Sequence, residues 1–186
     1  MTRLQRWGWV ALALVAALFL LFLARSVAAQ GFTFMPQGGR AIALELLASP
    51  SDGAALREAI QSRRDEAQWR AFLEGRGKLS ERERATLAAY LDVNMPLAPE
   101  AAKSGDLAAA LPVDGRTLAE NECQSCHSFF SGYLTQSRDV QGWRSVFLSP
   151  FHRQMKLTPQ EREEFARYSA LNMPMKVDDI PAELRF

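Results

Sequence analysis

The sequence predicts an all-α chain, with two small helical units in tandem behind an N-terminal hydrophobic helix. Three observations predict it. One stretch of the chain is repeated, in order, about 76 residues later. Both copies carry the capping signals of helix N-termini. No segment shows the strict apolar/polar alternation of a half-buried strand. The length of 186 residues suits one ordinary domain or two small ones.

The first element is a targeting segment. Arg3 and Arg6 precede an unbroken apolar run from Trp7 to Ala24, closed by Arg25. That run exceeds the usual signal-peptide core of about 7–15 residues and approaches the ~20 of a spanning helix. Ser26-Val27-Ala28-Ala29 supplies a small-residue cleavage site. Residues 1–29 are therefore read as a signal anchor, with a cleaved signal peptide as the alternative. Either sends the remainder across a membrane, with the N-terminus inside. The expected location is the periplasmic side of an inner membrane, anchored, or soluble in the periplasm if the leader is cut.

The repeat organises the rest of the chain. Lys78-Leu79-Ser80 matches Lys156-Leu157-Thr158, and Glu83, Arg84, Ala88 and Tyr90 match Glu161, Arg162, Ala166 and Tyr168. Asn94-Met95-Pro96 matches Asn172-Met173-Pro174. Upstream, Trp69-Arg70 pairs with Trp143-Arg144, and Gly39-Arg40 with Gly115-Arg116. So many ordered matches indicate two copies of one unit. Ser80 with Glu83, and Thr158 with Glu161, read as capping boxes, and Pro159 stands at a first helical position. Each of these helices should stop before its Asn-Met-Pro. A further helix is expected from Ala54 to Leu73. The Pro- and Ala-containing stretch 96–112 reads as a connection. The expected domains are thus 30–97, a linker at 98–112, and 113–186.

A net charge of +1 gives no basic bias for nucleic acid and no acidic tail. There is no phosphate-cradling glycine motif and no serine-nucleophile signature. The chain has two Cys and two His, and three of those four stand together as Cys123-Gln124-Ser125-Cys126-His127. On a helix, thiols three residues apart share a side, which suits two thioether bonds to one edge of a haem. His127 follows directly and can reach the iron; C-x-x-C-H is the attachment pattern of c-type haem. A structural zinc site needs four such ligands, and a thioredoxin-like pair expects a βαβ setting. A plain disulfide is the other open chemistry in an oxidising compartment. The cofactor expected is one covalent haem c, held by Cys123, Cys126 and His127.

From Pro112 to Pro174 the chain resembles the cytochrome c family, in its small single-haem form. The resemblance rests on the haem motif at the end of a first helix, an intervening Trp, and a last helix carrying a Tyr. It implies cytochrome c-like helical units, a mostly buried haem, and one haem edge exposed for electron transfer. It also implies a first helix over Arg116–Cys126, with Phe129, Phe130, Tyr133 and Leu134 as pocket walls. The first copy departs from the pattern: Leu47, Pro50 and Ser51 stand where the cysteines and histidine would be. That copy reads as a degenerate, haem-less unit, its space filled by Phe34, Leu44, Leu46 and Leu47, and serving as a docking or spacer domain.

The second axial ligand has four candidates: His152, Met155, Met173 and Met175. Met173 has a counterpart, Met95, in the copy without the haem motif, so packing explains it better. From Trp to Lys the haem copy spans 13 residues against 9, and the longer stretch holds His152 and Met155. An insertion confined to the haem copy is where a ligand loop belongs. His152 is the favoured metal ligand and Met155 the alternative.

These residues predict a single-electron carrier, as a subunit of, or donor or acceptor to, a respiratory oxidoreductase. Its expected partners are redox proteins in the membrane or periplasm, with the membrane met through the N-terminal helix. A haem-based ligand binder, or a haem enzyme with an open sixth position, is the alternative. Catalysis would need polar groups to handle protons, and the only other His is already the ligand candidate.

Overall fold

The computed structural model describes residues 32–186 apart from Ser125 and His127. The predicted N-terminal anchor lies outside the described residues. Among them, no helix is long and apolar enough to cross a membrane.

The described chain is helical, without strands among the described residues. In order it forms α1 (Gly39–Ala48), α2 (Gly53–Ala59), α3 (Glu66–Leu73), α4 (Glu81–Asn94), α5 (Pro99–Ala102) and α6 (Leu107–Ala110). Then come α7 (Gly115–Glu122), a π-helical turn (Phe130–Leu134), α8 (Val140–Val146) and α9 (Pro159–Asn172). Short 3₁₀ turns occupy His152–Gln154, Val177–Asp179 and Ala182–Leu184.

Both expected capping boxes form. Ser80 caps α4 with Glu83, and Thr158 caps α9 with Glu161. Two boundaries differ from the sequence reading. The helix expected over Ala54–Leu73 is two helices. Asp65 breaks it, because its carboxylate accepts the Gln68 N–H while the Gln68 side chain accepts the Asp65 N–H. A satisfied cap outcompetes continuation of the helix. The helix expected over Arg116–Cys126 runs Gly115–Glu122 and is capped by Cys123, so Cys126 lies beyond it. Asp114 caps its start, accepting the Thr117 N–H at 3.0 Å.

The two repeat copies build the same crossing. In one, α1 packs on α4 with Gly39 against Tyr90; in the other, α7 packs on α9 with Gly115 against Tyr168. Each Tyr hydroxyl then donates to a carbonyl at the entrance of the opposite copy. Tyr90 bonds Pro112 at 2.8 Å and Tyr168 bonds Pro36 at 2.7 Å. Asn94 and Asn172 each return a side-chain bond to the Tyr carbonyl one turn back. The Leu97 N–H donates to the Ile60 carbonyl, and at the matching place Met175 donates to Leu134.

α4 and α9 pack along each other and join the copies. Residues 34–186 consequently cluster as one compact unit. Arg167 of α9 reaches Asp92 at 2.6 Å and Glu66 at 3.3 Å in the first copy, and Glu163 at 2.6 Å in its own helix. The connecting residues 98–112 are folded as α5 and α6. They send Ala102, Leu107 and Leu111 into the core of the first copy.

That core is solid. Leu56, Ile60, Trp69, Leu73 and Leu87 are fully buried in it, with Leu46 and Leu47 from α1. Leu44 packs at its edge. Phe34 does not fill this space: it is half-buried in a crevice beside Thr86 and Asn172.

Candidate functional site

The second copy is hollow where the first is filled. A cavity of about 640 Å³ is lined by Tyr133, Trp143, Phe147 and Phe165, with Cys123 and Cys126 in its wall. Three of those four aromatics replace smaller residues at matching repeat positions: Tyr133 stands for Ala59, Phe147 for Leu73 and Phe165 for Leu87. Larger side chains here frame space and do not fill it. The rings hold each other edge-on or tilted. Trp143 meets Phe165 at 5.8 Å and 86°, Phe147 meets Phe165 at 5.4 Å and 73°, and Tyr133 meets Trp143 at 5.3 Å. Such edge contacts keep an aromatic wall rigid at about 0.5–1.5 kcal/mol per pair. The Tyr133 hydroxyl is fixed by Ser169 Oγ at 2.9 Å. Burial pushes that phenol well above its ordinary pKa, so the wall stays uncharged.

Of the expected pocket walls, Tyr133 lines the cavity, and Phe129 stacks on Tyr133 at 5.1 Å. Leu134 is fully buried and Phe130 half-buried, both outside the lining. Phe147 and Phe165 are the wall residues that sequence reading missed. Comparing the copies position by position would have found them, because both break the size match between otherwise parallel units.

The longer Trp-to-Lys segment closes on the same cavity. His152 and Met155 both line it, as does Phe151. Met173 is buried in the core and Met175 lines the crevice beside Phe34, so neither reaches the cavity. The segment is tied down rather than loose. Arg162 donates to the carbonyls of Leu157 and Met155, both at 3.2 Å, and lies over the Phe147 ring. His152 Nδ1 sits 2.8 Å from Ser149 Oγ, which orients the imidazole.

Burial, and then the Glu122 and Cys126 charges, push the Cys123 thiol up to about 12. A thiol held neutral is a poor redox nucleophile, because reactive dithiols have lowered pKa values. Among the described residues, no three His, Cys, Asp or Glu side chains gather to hold a bare metal ion.

The lining fits a large, flat, mostly apolar group with acidic substituents. The volume lies within the roughly 300–1,000 Å³ of small-molecule and cofactor sites. Trp143 Nε1 is buried with no hydrogen-bond partner among the described residues, and the Arg138 guanidinium lies 5.6 Å over the same ring. A buried orphan donor beside a cation suits a carboxylate. The matching Trp69 Nε1 is orphaned as well, but in a filled core with Arg64 over its ring.

No family model, curated protein or solved structure matches this chain.

Proposed function

We propose that this chain is a membrane-associated periplasmic c-type cytochrome that passes single electrons, as a subunit of, or donor or acceptor to, a respiratory oxidoreductase. One observation carries the reading: an aromatic cavity opens on the two cysteines of a C-x-x-C-H motif and on both candidate ligands of the insertion.

A haem bound there would supply a one-electron iron couple. The chain's own residues do the rest. Cys123 and Cys126 would hold the group covalently, each through one thioether made by adding its S–H across a vinyl C=C. His127 would be one iron ligand. His152 would supply the other iron ligand, with Met155 the alternative, and Ser149 Oγ, 2.8 Å from Nδ1, would orient the imidazole as outer-shell partners do. The apolar wall would disfavour the extra charge of oxidised iron and so raise the potential, whereas a second imidazole in place of Met would lower it. Trp143 Nε1 and Arg138 would take the acidic side groups.

In the first copy Ala59, Trp69, Leu73 and Leu87 fill the place that matches the aromatic cavity, and no cysteine or histidine stands at the motif positions, so we assign it a structural and docking role. Phe151, which lines the cavity, is 87% exposed and Leu148 is 69% exposed, and they add apolar surface where a partner would meet the haem edge.

The test is a reversible one-electron titration of the purified protein, with carbon monoxide offered to the reduced form. Sharp low-spin bands in both states and no carbon monoxide complex support electron transfer. A high-spin spectrum and rapid carbon monoxide binding would move the reading to the ligand-binding alternative.

A further inference from the structure

Glu164 is a carboxyl group in a place that its repeat equivalent, Thr86, fills without charge. It is 3% exposed. Its Oε1 accepts the Gly115 N–H at 3.1 Å, at the first residue of α7. Its Oε2 accepts from Asn94 Nδ2 at 3.2 Å, on α4 of the other copy. The groups facing it offer no counter-ion. Asp114, before α7, repels the charge, and so does Tyr90 of α4 when ionised. Arg167, on its own helix, attracts the charge but is engaged by Glu66, Asp92 and Glu163. Arg40 of α1 gives its backbone N–H to Asp114 and its guanidinium to the Ala108 carbonyl.

Glu164 does not itself line the cofactor cavity, but it is joined to it through two elements. Its neighbour Phe165 is a cavity wall. The helix it holds by its first N–H runs eight residues to Cys123, about 12 Å at the α-helical rise. Charges across that span of protein interior feel each other, because the medium screens far less than water.

We propose that Glu164 is a proton-binding site coupled to the oxidation state of the haem, so that the protein takes up a proton as it takes up an electron. The inference rests on the cytochrome reading. Oxidation adds one positive charge to the cavity and favours the Glu164 carboxylate. Reduction removes that charge, and the carboxylate takes one proton from solvent onto its oxygen. Electron and proton thus enter together, and the balance is one of each per site. Desolvation, the largest cause, sets the Glu164 carboxyl near about 8, where this exchange acts at ordinary pH. The midpoint potential then falls as pH rises through that region, since protons bind the reduced form more tightly.

The experiment begins with denatured mass, which reports covalent haem by itself and so separates failure of the cytochrome reading from failure of this one. Potential is then titrated against pH in the wild type, Glu164→Gln and Glu164→Thr, the last restoring the residue of the first copy. The expected result is a falling potential in the wild type and a flat one in both variants through the same window. A flat wild-type profile, or a slope that survives both substitutions, overturns the proposal. Should neither variant fold, the wild-type redox-difference infrared spectrum decides. A protonated-carboxyl band gained on reduction supports Glu164, and no carboxyl change on reduction overturns it.

Discussion

A Cβ on Gly115 would lie 2.3 Å from Tyr168 Cβ and 2.8 Å from the Glu164 carbonyl oxygen. The two helices that carry them therefore meet backbone to ring, and only glycine permits the approach. Gly39 repeats the relation with Tyr90 Cβ at 2.2 Å. Gly115→Ala and Gly39→Ala should each lose about 3 kcal/mol or more in urea unfolding, at or above the usual cost of overpacking. Gly105→Ala is the control: nothing lies within 4 Å of its Cβ, and its stability should be unchanged within about 0.5 kcal/mol.

On the proposed cytochrome reading, His152→Ala should convert a low-spin spectrum to high-spin, while Met155→Ala should leave it low-spin with small band shifts. The reverse pattern would assign the sixth position to Met155. Both side chains line the cavity, so absorption spectra of the two variants separate them.

The Arg144 side chain grips Glu163 with two 2.6 Å bonds, and Arg167 adds a third. The Arg144 bond, then Arg167, hold the Glu163 carboxyl at about 2 against an ordinary 4.5. A depressed folded pKa means stabilisation that is complete above about 4.5 and lost as pH falls through about 2. Arg144→Ala should flatten that acid limb, measured as unfolding midpoint against pH. Because Arg144 is 44% exposed, its loss should cost no more than ~1 kcal/mol at neutral pH.

Glu164 gives the opposite sign. Burial raises its carboxyl from 4.5 to about 8, so the folded state binds the proton more tightly than the unfolded chain. Its contribution is fully present below about 4.5 and is lost as pH rises through about 8. The wild type should therefore weaken across that window, by at most ~1.4 kcal/mol per pH unit, and Glu164→Gln should not show the decline.

Much of the fold is legible in residues whose physics is local. Ser80 with Glu83 and Thr158 with Glu161 announce helix starts on their own, because both partners of each bond lie within one turn. The pairing of Trp69 with Trp143 and Tyr90 with Tyr168 shows the repeat. Asp65 is harder: its cap competes with a run that is helical on both sides, and only the backbone direction decides. The cavity is half legible. The motif residues and the insertion name Cys123, Cys126, His152 and Met155, and the last three helices bring these four around one space. That Phe147 and Phe165 frame that space while Leu73 and Leu87 fill its counterpart depends on packing between helices far apart in sequence. The contact of Glu164 with Asn94 lies between the copies, where no local pattern points.

The most direct test of the cytochrome reading is the denatured mass of the protein made with cytochrome c maturation machinery, beside Cys123→Ala and Cys126→Ala. A c-type cytochrome gains the mass of one haem that survives denaturation in the wild type, carried by at most one thioether in either single variant. A wild-type mass equal to the polypeptide alone would contradict that reading and return Cys123 and Cys126 to a dithiol pair.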